Sequence, residues 1–203
     1  MSWLAGHPGE LLALLGQHLA LVGAALAAAL ALALPLGYWA AHRPALIQPI
    51  YGLFGAIYTI PSLALLALLV PVLGLGFWTA VVALAAYAQM ILIRNTVEGF
   101  RGIAPAQIDA AAGLGMTRAQ QLWRVELPLA LPVLVGGVRI ATVSLIAIAS
   151  VAAWINAGGL GVLFFDGIHR NDVQKIVAGS VASAALAAIA DTLLRGLERV
   201  VRT

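Results

Sequence analysis

The chain has 203 residues, 63% of them hydrophobic and only 9% charged, with a mean hydropathy of +1.02, a formal net charge of +3 and a pI near 9.8. So few polar side chains cannot clothe a water-soluble domain of this length, and the composition indicates an integral membrane protein. The absence of cysteine removes disulfides, thiolate metal sites and cysteine nucleophiles together.

A helix needs about twenty apolar residues to cross about 30 Å of hydrocarbon. Runs near residues 19–41, 50–70, 77–93, 131–154 and 173–194 approach or exceed that length, which predicts five transmembrane helices. No Lys or Arg precedes Arg43, and the first run is too long for the apolar region of a signal peptide, so it is expected to remain as a span. Turns are expected at His42-Arg43-Pro44, around residues 71–76, and in the glycine-rich segment that opens at Ala157 and runs on to Asp172. That last segment is the only sizeable loop on its side and a candidate docking surface. Trp39, Trp78 and Trp154 fall at span ends, where amphipathic rings anchor at the membrane interface. Neither a linker nor an internal repeat interrupts the chain, so residues 1–203 read as one all-α membrane domain. A polar insert over residues 98–128 lies between the third and fourth spans.

The insert has its own local code. Pro105 suits a first helical turn, and residues 106–112 are mostly good helix formers. Gly113 and Gly115 supply the permissive backbone of a sharp stop. Thr117 with Gln120 three residues later is a capping-box pair. It predicts a second short helix from Arg118 to about Val125, ended by Leu127-Pro128. Two short helices joined at a glycine elbow make a knob carrying Asp109, Arg118, Arg124 and Glu126, suited to a groove on a soluble partner.

Over twenty residues the sequence DAAAGLGMTRAQQLWRVELP resembles the cytoplasmic coupling loop of ABC importer permeases. That family's pattern is Glu-Ala-Ala, three residues, Gly, nine residues, Ile, one residue, Leu-Pro. Asp109, Ala110, Ala111, Gly115, Val125, Leu127 and Pro128 occupy those places, with Asp for Glu and Val for Ile as the departures. The segments YTIPSLALLALLVPVLGLG from Tyr58, ILIRNTVEGF from Ile91 and AGGLG from Ala157 extend the similarity to permeases for glycine betaine, carnitine and choline, over roughly residues 18–195. Methionine-type permeases share this size and architecture and are the alternative within the family. The resemblance implies two permeases, as a homodimer or a related heterodimer, with two ATPase subunits and a separate extracytoplasmic substrate-binding protein.

With the insert cytoplasmic, Arg43, Arg94, Arg101, Arg118, Arg124, Arg195, Arg199 and Arg202 lie inside and only Arg170 and Lys175 outside. The N-terminus is then external and the C-terminus internal. The basic balance follows from topology and lipid contact, and nucleic acid is not an expected partner.

No phosphate-binding loop G-x-x-x-x-G-K-[ST] is present, so ATP hydrolysis is expected of a partner rather than of this chain. His7, His18, His42 and His169 show no metal-ligand spacing and read as interfacial or solvated, and no metal or cofactor is expected. Ser62, Ser144, Ser150, Ser180 and Ser183 lie in or beside apolar helices and read as packing residues.

Four residues are pathway candidates. Pro61 is expected to kink the second span. Tyr58 and Tyr87 offer aromatic faces to a cation, against the plainer role of packing. Arg139 carries a charge into the fourth span, where it is expected to snorkel or pair with a neighbour such as Glu126. A channel or ion-coupled transporter is the alternative from another class. It would be expected to show intramembrane ionisable pairs or inverted repeats, neither of which is evident in the sequence.

Overall fold

The structure, a computed structural model, describes residues 6–202, among which every regular element is helical. In chain order these are α1 (Pro8–Ala41), α2 (Ile47–Thr59), α3 (Ser62–Leu73), α4 (Phe77–Arg101), α5 (Pro105–Gly113), α6 (Arg118–Gln121), α7 (Leu127–Ala152), α8 (Gly161–His169) and α9 (Val173–Arg202). Short 3₁₀ turns at Pro44–Leu46 and Ala153–Ile155 and a π turn at Leu122–Glu126 join some of them.

Four stretches are long and apolar enough to cross a membrane: Pro8–Ala41, Phe77–Arg101, Arg118–Ile155 and Val173–Val201. The predicted span at residues 50–70 is not one helix. It is the pair α2 and α3, bent by 97°, and it makes a fifth crossing only if the two are counted together. Pro61 is the cause. Its ring drives Ile60 out of the helical region to φ −68°, ψ 129°, and a missing N–H ends the ladder, giving a break where a kink was expected.

Lipid is as apolar as leucine, so membrane helices gain little from hydrophobic burial against each other and associate through close packing of small residues. The inner face of α1 shows this as a ladder of Leu21, Ala25, Ala29, Ala33 and Gly37, all buried and four residues apart. It lies on α4, whose Ala80, Ala83, Leu84, Ala88 and Leu92 are buried in the same core. Gln89 ties the two by donating to the Ala29 carbonyl at 3.2 Å. The other side of α4 meets α7, where Ala141, Leu145 and Ala149 complete the core.

Two close approaches of helix to helix lie near the insert. A Cβ on Gly37 would stand 2.6 Å from Thr96 Cβ, and one on Gly137 would stand 2.5 Å from Asn95 Cβ. Adjacent residues of α4 thus fill notches in α1 and α7. Valine at Gly37 or Gly137 should overpack these notches and destabilise the bundle by about 1–3 kcal/mol. Gly23, with open space around its missing side chain, should accept alanine with a gain of up to about 1 kcal/mol from helix propensity. Thermal unfolding of the solubilised protein measures both signs.

Candidate functional site

The insert departs from α4 at Arg101 and returns through α7. Pro105 occupies the first turn of α5, which ends in a paired-bond cap. Gly115 N–H donates to Ala112 O at 2.9 Å and Met116 N–H to Ala111 O at 3.2 Å, with Gly115 in the left-handed region at φ +74°. Gly113 remains helical as the last residue of α5, so Gly115 alone makes the elbow. Thr117 and Gln120 form the reciprocal capping box: Thr117 N–H donates to Gln120 Oε1 at 2.8 Å, and Gln120 N–H to Thr117 Oγ1 at 3.3 Å.

The second short helix does not stop at Leu127-Pro128. It passes through the π turn directly into α7, and Arg118–Ile155 forms one continuous run. Proline in a helix lacks a donor and crowds the carbonyl four residues back, and a wider i→i+5 turn just before Pro128 relieves both faults. The insert is therefore the N-terminal extension of a span. A small core seats it, in which Phe100, Ile103, Ala130 and Leu134 are buried with Ile108, Leu122 and Leu127 packed on them.

Of the seven motif positions, Ala111 is buried, Val125 and Leu127 are half-buried, and Asp109, Ala110, Gly115 and Pro128 face outward. Leu114 at the elbow is 78% exposed, an apolar tip on a polar knob. Asp109 borders a groove of about 270 Å³ that it shares with Ala41, His42 and Arg101.

The pathway candidates divide into two places. Tyr58 and Tyr87 meet edge to face at the α2–α3 break, with ring centroids 6.1 Å apart. The Tyr87 hydroxyl donates to the Ile60 carbonyl, the acceptor that the break at Pro61 releases, while Tyr58 is exposed. Arg139 lies apart from them, between α7 and α9. Its partners are Asp191 at 3.1 Å and Glu198 at 3.2 Å, and not Glu126. Asp191 also pairs with Arg195 at 2.5 Å. An ionisable cluster that the sequence did not reveal thus clamps α9 to α7. Asp191, Arg195 and Glu198 share one face of α9 by their spacing, but only the packing of α9 on α7 brings that face to Arg139.

His18 was expected at an interface or in solvent, and it is fully buried. Its Nε2 lies 3.1 Å from the Ile146 carbonyl, and its Nδ1 accepts the Leu160 N–H at 3.3 Å. Gln17 Oε1 accepts the Gly159 N–H at 3.0 Å. Residues 157–172 are therefore not a plain loop. Gly158 and Gly159, with φ of +78° and +83°, fold the chain against α1, and α8 then buries Leu163 beside Leu14 and Ala178. Asp166 on α8 bonds Lys175 and Arg170, which hold its carboxyl below the usual carboxylate range. Nothing in the local pattern marks the Gln17–His18 pair, whose partners are 128 and 142 residues away.

At the end that carries the insert, His42 pairs with Glu126 at 3.2 Å, and Tyr38 packs edge to face on Phe100 at 4.9 Å. These contacts join the end of α1 to the insert.

The model of the family described as "Binding-protein-dependent transport system inner membrane component" matches residues 33–203. The chain belongs to that family. It is a multi-pass membrane transport component, and its match runs from the later turns of α1 through the insert to the end of α9. Among relatives, the "Osmoprotectant import permease protein OsmW" of Salmonella typhimurium is 37% identical, covering 98% of this chain and 95% of the relative. The "Glycine betaine/carnitine/choline transport system permease protein OpuCB" of Bacillus subtilis is 36% identical over 99% of this chain and 93% of its own. Among solved structures, an inward-facing form of the MetNI methionine ABC transporter superposes with a TM-score of 0.84 at 22% identity, over 95% of this chain and 96% of that one. A histidine-bound amino acid ABC transporter gives 0.75 at 18% identity, over 97% and 96%. These two likenesses establish the shared helical fold.

Within this permease, Arg139→Gln should remove the ionic bridge from α7 to Asp191 and Glu198 and loosen α9 from α7, at a cost of about 1–3 kcal/mol. The exposed helical pair Arg94–Glu98 should tolerate Arg94→Gln without measurable loss, because solvent screens it. Chemical unfolding of the two variants in parallel distinguishes the roles.

Proposed function

We infer that this chain is the membrane half-pathway of an ATP-driven importer for quaternary-amine osmoprotectants such as glycine betaine, choline and carnitine. The observation that carries the reading is the exposed two-helix knob, continuous with α7 and seated on α4, in a chain without a phosphate-binding loop. The partners are ATP-binding cassette ATPase subunits, an extracytoplasmic substrate-binding protein and a second permease copy, within a lipid bilayer. The residues 98–128 face the cytoplasm, with the N-terminus outside and the C-terminus inside, because that arrangement puts most of the basic residues on the cytoplasmic side. The whole chain acts as a single permease domain.

Asp109, Ala110, Ala111, Gly115, Val125, Leu127 and Pro128 form the coupling element. Asp109 and the apolar tip Leu114 enter the ATPase, while Ala111, Val125 and Leu127 transmit its movement to α4 and α7. Closure of the ATPase on ATP pulls the knob, and the spans exchange outward for inward opening. Tyr58, Pro61 and Tyr87 line the path at the helix break. There an exposed Tyr58 ring offers a face to a quaternary ammonium group, and Tyr87 holds the broken backbone. Arg139 holds α9 in place beside the path. Its carboxylate partners each face a guanidinium, an arrangement suited to a static clamp and not to an ion-coupled relay.

The substrate class rests on the names of relatives at 35–39% identity over most of the chain. The methionine alternative has likeness of fold alone on its side. Uptake by proteoliposomes holding the full complex should require ATP and be competed by glycine betaine, choline or carnitine but not by methionine. Competition by methionine alone would reject this substrate, and uptake driven by an ion gradient without ATP would reject the importer.

The double variant Gly115→Val, Asp109→Lys tests the knob. A β-branched residue at a left-handed position costs about 1–2 kcal/mol, and the lysine reverses the docking charge. The expected result is loss of uptake and of binding-protein-stimulated ATPase activity with normal membrane insertion. Normal transport would remove the knob from the mechanism.

A further inference from the structure

We propose that the cleft between α7 and α9 is a binding site for one phosphate group, supplied by the head group of an anionic phospholipid. From the importer reading above it takes only the side of the membrane, the cytoplasmic leaflet. The site itself stands on its own residues.

The cleft has a volume of about 370 Å³ and is lined by Arg139, Arg195, Glu198 and Arg199. A guanidinium stays charged at any pH a cell reaches, so the charges can be counted without regard to titration. Three arginines meet two carboxylates, and the pairing is uneven. Arg139 takes both Asp191 and Glu198, at 3.1 Å and 3.2 Å, and Arg195 shares Asp191. Arg199 is exposed and has no acidic partner among the described residues. The clamp between α7 and α9 is complete without it, so one positive charge is left over beside the cleft.

Geometry selects the class of ligand. Arg195 and Arg199 are one turn apart on α9, which puts both guanidinium groups on one face. Two such forks suit an oxyanion with several acceptor oxygens, and phosphate takes paired N–H bonds from a guanidinium. A cation is repelled, so the cleft is separate from the path offered to a quaternary ammonium group at Tyr58. The α7 wall is low here: Gly136 has no side chain, and a Cβ on it would stand 3.7 Å from Glu198 Oε1. The partial negative charge of the α9 C-terminus opposes an anion, but it fades within the last turn, and Arg139 and Arg195 stand further back.

Position selects the source. The apolar run of α9 gives way to charge at Arg195, so the cleft lies where this span leaves the hydrocarbon. Elsewhere around the same helix Leu193, Leu197 and Val200 are apolar and exposed, as suits a helix bordered by acyl chains. Basic pockets between spans at this level hold lipid head groups. A lipid phosphate gains both the arginines and the apolar surface beside them, whereas a soluble phosphate gains the arginines alone.

The test uses the whole complex, purified in detergent, freed of endogenous lipid and titrated with phosphatidylglycerol while native mass spectrometry counts the lipid bound. Diacylglycerol with the same acyl chains, which lacks the phosphate, is the control. The complex should hold phosphatidylglycerol and not diacylglycerol. Arg199→Gln should weaken that binding about five- to tenfold, and because Arg199 makes no internal ion pair, this variant keeps the fold. Arg199→Lys, with the charge but not the fork, should restore part of the affinity. Arg94→Gln, which removes a charge outside the cleft, should leave it unchanged. Equal binding of diacylglycerol, or full affinity in Arg199→Gln, overturns the site.

A second arm identifies the source. Inorganic phosphate in large excess should not displace the lipid, and displacement would give the site to a soluble phosphate and overturn the lipid assignment. Failure of the importer reading looks different: uptake would proceed without ATP while phosphatidylglycerol stayed bound.

Discussion

The close seating of α4 between α1 and α7 is the constraint on which the other contacts depend. Thr96 lies against Gly37 on one side and Asn95 against Gly137 on the other, so two adjacent residues fix two interhelical distances at once. In lipid, where apolar burial gives no net drive, such contacts are the main source of specificity between spans. Their place along α4 matters as much as their closeness. Both precede Arg101, where the insert departs, by about one and a half turns, and Gly99, a turn further on, lies under the Ala130 carbonyl of α7. The insert therefore leaves from a closely packed part of the bundle.

The insert is fixed at each of its own joints as well. Here α5 ends on a capped glycine elbow, α6 begins with a capping box, and the π turn carries the chain into α7 without a break. The π turn solves a local problem, the crowding by Pro128, and its consequence is long-range. It keeps Arg118 to Ile155 one continuous helical stretch, so the second half of the knob and the span are one element.

The first span is fastened by different chemistry at its two ends. At the insert end its His42 lies 3.2 Å from the Glu126 carboxyl, while ion pairs join other helices at both ends, Arg139 with Asp191 and Glu198 and Asp166 with Lys175. At the other end, α1 is joined to the turn after α7 by neutral hydrogen bonds from Gly159 and Leu160 to Gln17 and His18. Charged contacts respond to salt and protons, whereas buried neutral bonds to backbone do so far less.

Much of this was legible in the residues. Composition alone determined a membrane protein, run length determined the long helices, and local rules placed Pro105, the Gly115 elbow and the Thr117–Gln120 cap, because each depends on neighbours a few residues away. Tertiary structure decided what depends on distant partners. It turned the expected kink at Pro61 into a break, since Tyr87 from α4 supplies the donor that makes an open Ile60 carbonyl tolerable. It carried the helix through Pro128, because packing on Phe100 and Ala130 favours a widened turn over a stop. It gave Arg139 to Asp191 and Glu198, and Glu126 to His42, because pairing is set by which helix faces meet. Periodicity says that a residue shares a face with others on its own helix; only the arrangement of helices says what that face touches.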